Sequence, residues 1–192
     1  MRNETDRGPH AGPWIPADPV TDRVLPLVGV LARPPHPATI ETRLEALFGP
    51  ILLRSPAWEF TATRYYEREM GTGLMRSFFA FPPTRFLSLP AWKLATGRLE
   101  HDWSGPDGRR VNLDPGYVSL GGLFLASTTP AAQRIPLSHG IHAEITLFYA
   151  RGEWQVLPWT FPDFRCATYH PFLTECREAL KRALRAGEPQ SA

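Results

Sequence analysis

The chain counts 192 residues, 21 of them Lys or Arg and 19 Asp or Glu, for a formal charge of +2 and an isoelectric point near 8.7. So balanced a charge disfavours nucleic acid as a partner, because backbone recognition needs a concentrated basic stripe. No apolar run approaches the roughly 18 to 20 residues that cross a bilayer, and the proline-rich opening segment lacks an apolar core, so neither a membrane span nor a signal peptide is expected.

Residues 1–22 mix charges with Gly and Pro and show no periodicity, which predicts a flexible arm. Residues 23–186 read as a single α+β domain, and 187–192 as a frayed C-terminus. Within the domain, the unbroken apolar run at 24–32 suits a central strand buried on both faces. Thr39 is placed to cap a helix carrying Ile40, Leu44, Leu47 and Phe48, which Gly49 and Pro50 stop. Residues 51–54 and 58–66 look extended, 67–73 turn, and 75–81 form a strand. Trp92, Ala95, Leu99 and Trp103 mark the apolar stripe of a second helix, with Lys93, Thr96 and Glu100 as a polar stripe beside it.

A strand at 109–113 is expected to end at Pro115-Gly116, while 117–127 fits either a strand or a short helix. The clearest signal is a hairpin, 141–149 and 154–159 about an Arg151-Gly152 turn, with Tyr149 opposite Trp154 and Glu144 opposite Trp159. Strict alternation puts Ile145, Leu147, Tyr149, Trp154 and Val156 on one face, and His142, Glu144 and Thr146 on the other. An amphipathic helix at 171–184 closes the domain. The order predicts helices packed on a mainly antiparallel sheet, with a ferredoxin-like core followed by a C-terminal hairpin and helix. Proline is abundant at 21 residues, yet with 15 glycines it stays below the share typical of disordered chains, so the prolines punctuate a fold. Cys166 and Cys176 are too few for a zinc knuckle or a disulfide framework and imply a reducing compartment.

The segments Tyr65-Tyr66-Glu67-Arg68-Glu69-Met70-Gly71, Arg109-Arg110-Val111-Asn112-Leu113-Asp114-Pro115-Gly116-Tyr117, Gly140-Ile141-His142-Ala143-Glu144-Ile145-Thr146-Leu147 and Leu157-Pro158-Trp159-Thr160-Phe161-Pro162-Asp163 resemble successive motifs of the prokaryotic domain of unknown function 4416 family. The resemblance spans 27–172, with 110–117 its most specific part. It implies a cytoplasmic bacterial or archaeal protein and brings no activity with it. Two departures stand out: Thr96-Gly97 where such proteins commonly have Thr-Asn, and Gly121-Gly122 in a segment that commonly holds a Lys.

The candidate site residues follow from chemistry. In an extended backbone Arg110, Asn112 and Asp114 turn to one side, and a guanidinium, a carboxamide and a carboxylate together can hold a phosphate beside a divalent cation. Turn capping and an Arg110–Asp114 pair explain the same residues structurally. Glu67 and Glu69 share a face only if that backbone is extended. Glu144, set mid-strand against an aromatic, needs a partner such as Arg110, His142 or a cation. His142 suits a general base near neutral pH, with Glu144 beside it as the second catalytic candidate. Lys93 would reach a phosphate if its helix borders the cleft, and Trp159 would stack on a base or sugar. No G-x-S-x-G, P-loop or dinucleotide signature is present.

Two functions compete on this basis, and whether the protein is an enzyme stays open. One is a small-molecule site for an anionic or phosphorylated ligand, with Asp114 and Glu144 ligating Mg²⁺ or Mn²⁺ for phosphate chemistry. The other is a noncatalytic protein-interaction module whose polar residues are structural.

Overall fold

The computed structural model describes residues 23–35, 37, 39–85, 88–106 and 108–187, so the expected arm at 1–22 and the tail from 188 onward lie outside the described residues. The elements in chain order are β1 (Arg23–Ala32), α1 (Ile40–Phe48), β2 (Leu53–Arg54), β3 (Trp58–Glu59), α2 (Glu67–Met70), β4 (Met75–Ala80), β5 (Thr84–Arg85) and α3 (Leu89–Asp102). They continue with β6 (Val111–Val118), β7 (Gly122–Ser127), β8 (Ile135–Pro136), β9 (His142–Ala150), β10 (Glu153–Val156), two 3-10 turns (Pro162–Arg165 and Ala167–Tyr169) and α4 (His170–Gly187). Helix α4 thus runs through Gly187, past the expected start of fraying.

One antiparallel sheet runs in the order β10-β9-β7-β6-β1-β4-β2, with β3 on β4, β5 on β1 and β8 on β9. The quartet β6-β1-β4-β2, crossed over by α1 and α3, is the expected ferredoxin-like core. Strand β1 is buried from Val24 to Ala32 because layers cover both its faces. Val28, Val30 and Ala32 meet Leu44 of α1 and Leu99 of α3. Leu25 and Leu27 face the opposite layer, where Leu173, Cys176 and Leu180 of α4 lie over the sheet.

Local differences from the expected layout have identifiable causes. The stretch holding Tyr65 and Tyr66 is a turn that leads into helix α2, not extended chain. Pro115 and Gly116 lie inside β6 and do not end it. The Leu113 amide points away from β1 to the Glu100 carboxylate, and by the same alternation the Pro115 nitrogen faces that open side, where a missing N–H loses no ladder bond. Gly116 meets β7, and a Cβ there would lie 2.0 Å from the Phe124 carbonyl oxygen, so the close approach demands glycine. The polar stripe of α3 faces the sheet: Lys93, Thr96 and Glu100 are all buried.

The hairpin turns at Arg151-Gly152, both with positive φ, and pairs Tyr149 with Trp154 as expected. It stops at Val156–Leu147, so Glu144 has no Trp159 opposite it. Alternation also fails along β9. Leu123 faces Leu147 while Phe124 faces Ile145, so Thr146 is an extra residue, a bulge that brings Glu144 to the same side as Leu147.

Candidate functional site

Strands β6 and β7 pair only from Gly116 to Val118, and from there toward Val111 they part. An opened sheet leaves backbone groups without ladder partners, and α3 supplies them. The Leu113 amide donates to the Glu100 carboxylate at 2.6 Å, and Lys93 Nζ donates to the Leu113 carbonyl at 2.6 Å. The two side chains lie 3.6 Å apart. Burial pushes the Glu100 carboxyl upward, against the pull of Lys93 and of the Leu113 amide. These charges replace a stretch of ladder.

On the α4 side of this opening is a hollow of about 330 Å³, walled by Tyr65, Tyr66 and Phe161, by Asn112 and Asp114 of β6, and by Arg76, Lys93, Arg109, Arg134 and Glu144, with hydroxyls from Ser127, Thr128 and Thr129. Its floor is built on Arg76, which is 1% exposed. From β4 the guanidinium passes over Gly29 of β1 and donates to Asp114 on β6 at 2.8 Å and to Asp163 at 3.2 Å. A Cβ at Gly29 would sit 3.3 Å from Arg76 Nη1 and 3.1 Å from the Phe78 ring, so the glycine opens this passage. The rings of Phe60, Phe78 and Phe164 surround the cation at 5.5 to 6.0 Å.

The two carboxylates beside Arg76 diverge. Burial opposes the ionisation of Asp114, but Arg76 and Lys93, with hydrogen bonds from Arg76 and Asn112, outweigh it and hold its carboxyl below the ordinary range. Asp163 is pushed up to about 6, by burial first and by the Asp114 charge, and Arg76 only partly offsets the rise. Its Oδ1 is buried without a hydrogen-bond partner among the described residues. Burial likewise raises the Tyr66 phenol, with the Asp114 charge adding to it.

At the rim, Arg109 forks onto Glu69 at 2.8 and 2.7 Å and donates to Asn112 at 2.8 Å. The Arg109 hydrogen bond, helped by its charge and only partly opposed by burial, keeps the Glu69 carboxyl below the ordinary range. Across the hollow, Arg134 donates to Glu144 at 2.7 Å and to the Thr129 carbonyl at 2.7 Å, and Gln133 adds a bond to Glu144 at 3.3 Å.

The structure therefore brings Asn112, Asp114, Glu144 and Lys93 to one hollow. Arg110 is not among them: it precedes β6, is exposed, and lies against Gly105, while its neighbour Arg109 reaches the hollow. Helix α2 sends Glu67 to Arg64 and Glu69 to Arg109, so the two do not act as a pair. His142 does not line the hollow, and among the described residues its Nδ1 is buried without a hydrogen-bond partner and no carboxylate orients it as a base. Trp159 lies outside too, half-exposed, its indole donating to the Ile145 carbonyl. The two departures from the family pattern are also elsewhere: Gly97 borders a groove on the helix side, and Gly121-Gly122 forms the β6–β7 turn.

Asp114 and Glu144 do not fit a Mg²⁺ or Mn²⁺ site, since each is engaged by a guanidinium. Among the described residues no three His, Cys, Asp or Glu side chains group to hold a metal ion. Sequence reasoning missed Arg76, Asp163, Arg109, Arg134 and the Tyr65–Tyr66–Phe161 wall. Arg76, a charge inside the apolar strand at 75–81, was the one with a readable signal.

No described helix is long and apolar enough to cross a membrane. A family model described as Domain of unknown function (DUF4416) matches residues 23–180, and the chain belongs to that family. No curated protein and no solved structure matches the chain.

Proposed function

We propose that this member of the DUF4416 family binds a small anionic molecule, a phosphate or carboxylate compound, in the hollow between β6 and β7. The observation that carries the reading is the convergence of four cations, Arg76, Lys93, Arg109 and Arg134, on one cavity of about 330 Å³ that also has an aromatic wall. Charges buried at this density are not a cheap way to stabilise a fold, because apolar residues of similar volume serve as well or better.

The charge balance shapes the ligand. Asp114 and Glu144 share the wall, and Glu69, Glu100 and Asp163 stand behind the cations as counter-ions, so four cations meet five carboxylates and the network, within one charge of neutral, carries no excess positive charge. Binding then depends on oriented donors more than on excess charge, which suits a compact monoanion or dianion and not a polyphosphate. Arg134 spends Nε on Glu144 and Nη1 on Thr129, and among the described residues its Nη2 is left to donate.

The test is a thermal-shift series with inorganic phosphate, phosphorylated sugars and dicarboxylates. A paired variant, Arg134→Gln with Glu144→Gln, removes both charges without stranding either. Ligand-dependent stabilisation in the parent that vanishes in the variant is the expected result; no shift with any of these compounds at millimolar concentration refutes the proposal. A second reading, a protein-interaction module, has its own observation: Ile135, Phe148, Val156 and Trp159 leave apolar surface exposed along the β8–β10 edge.

A further inference from the structure

We infer that the ligand of this hollow is a nucleoside monophosphate, with its base laid on Tyr65, its ribose hydroxyls directed at Asp114 and its phosphate held by Arg134 and Lys93. This rests on the anion-site reading above and narrows it.

The base is assigned from the aromatic wall. Tyr65 is 68% exposed although it lines the hollow. Its ring contacts with Tyr66 and Phe161 both stand at 85° to its plane, so neither neighbour lies flat on it. An exposed ring held upright by two others presents a stacking surface, and every nucleobase has a π-face to meet it. Such stacking raises affinity by about tenfold or more.

The ribose is assigned from the acceptor on the floor. Asp114 Oδ2 takes the bonds from both Arg76 and Asn112, which among the described residues leaves Oδ1 as the acceptor, and the side chain, on the wall of the hollow, keeps 19% exposure. A carboxylate held ionised and pointed at a cavity is the group that reads paired sugar hydroxyls. The phosphate is assigned to the outer nitrogen of Arg134 and to the Lys93 N–H groups not given to the Leu113 carbonyl, with Ser127 and Thr128 beside them. A near-neutral network, and described residues that gather no cluster for a divalent cation, favour one phosphate over three. A volume of about 330 Å³ lies at the small end of ligand pockets and suits a mononucleotide.

Calorimetric titration of the full chain with AMP, GMP, CMP, UMP, ribose 5-phosphate and inorganic phosphate tests this. At least one nucleotide should bind tenfold or more tightly than ribose 5-phosphate. Tyr65→Ala should erase that gap while leaving ribose 5-phosphate affinity within about twofold, and Tyr65→Phe should keep it. Ribose 5-phosphate or phosphate binding as tightly as every nucleotide would overturn the nucleotide assignment and leave the anion site standing. Absence of binding by all six would overturn the nucleotide assignment and, with it, every phosphate ligand for the anion site, whose carboxylate form the dicarboxylate arm of the thermal-shift series tests separately.

Discussion

Replacing Arg76 with Met keeps most of the side-chain volume and removes the charge, and the cost should depend on pH. Arg76 is 1% exposed, Asp163 is 1% exposed and Asp114 is 19% exposed, so the substitution strands one carboxylate in the interior and one at its border. Breaking a buried ion pair from one side costs about 3–5 kcal/mol, and the partial exposure of Asp114 places the expected loss near the lower end at pH 7.5. At pH 5 the outcome differs, because an Asp163 carboxyl at about 6 is already mostly protonated in the parent, leaving chiefly Asp114 without its cation. In the variant burial acts on both carboxyls without Arg76 to offset it, so both move upward from their positions in the parent. Their neutral forms are therefore accommodated at low pH, and stability falls as pH climbs through the folded values. Urea unfolding followed by circular dichroism at the two pH values should show about 3–4 kcal/mol lost at pH 7.5 and roughly half of that at pH 5. Adding Asp163→Asn should restore about 1–2 kcal/mol at pH 7.5. An equal loss at both pH values, or a loss under about 1 kcal/mol, would refute the account of the floor.

The Asp163→Asn change alone should flatten the parent's pH profile. A carboxyl raised from 3.8 to about 6 contributes stability at low pH that is lost as pH rises through 6, by up to about 3 kcal/mol, and the variant should lack that slope in pH-dependent denaturation. Glu100→Leu should cost about 1–3 kcal/mol by leaving the Leu113 amide unbonded, whereas Glu100→Gln keeps an acceptor and should cost less; equal losses in chemical denaturation would contradict the ladder-replacement role. Gly116→Ala should destabilise by about 3 kcal/mol or more, since its Cβ would lie 2.0 Å from the Phe124 carbonyl oxygen, and a melting temperature within a few degrees of the parent would show that β6 and β7 separate without penalty.

The ferredoxin-like quartet was legible because its signals are local, an apolar run for β1 and periodic apolar stripes for α1 and α3, although Thr39 makes no side-chain cap on α1; the last hairpin, outside the quartet, was legible from its Arg151-Gly152 turn. The site was legible by half. Asn112 and Asp114 share a face because β6 alternates regularly, but Arg110 was misassigned because the strand begins one residue after it. Glu144 came to the hollow for a reason periodicity cannot contain, an extra residue at Thr146 that turns the rest of β9 over. Its partner Arg134 lies ten residues away, in the β7–β9 connection. The polar stripe of α3 looks solvated in sequence because its carboxylate and ammonium resemble any surface pair. Only the parting of β6 from β7 creates the unpaired backbone that draws Lys93 and Glu100 inward. Arg76 meets Asp114 across an intervening strand and Asp163 from a distant turn, and pairings over such sequence separations leave no local trace.

With three residue pairs as the whole seam between its two halves, the sheet resembles two plates joined along a short weld. Two helices clamp that joint from opposite faces: α3 packs on both β6 and β7, and the apolar side of α4 shares a core with Leu25 and Leu27 on one plate and Leu123 and Leu147 on the other. The grip of those two helices therefore limits how far the cleft can gape, and loosening both would let the β7–β10 plate swing while the ferredoxin-like plate stays intact.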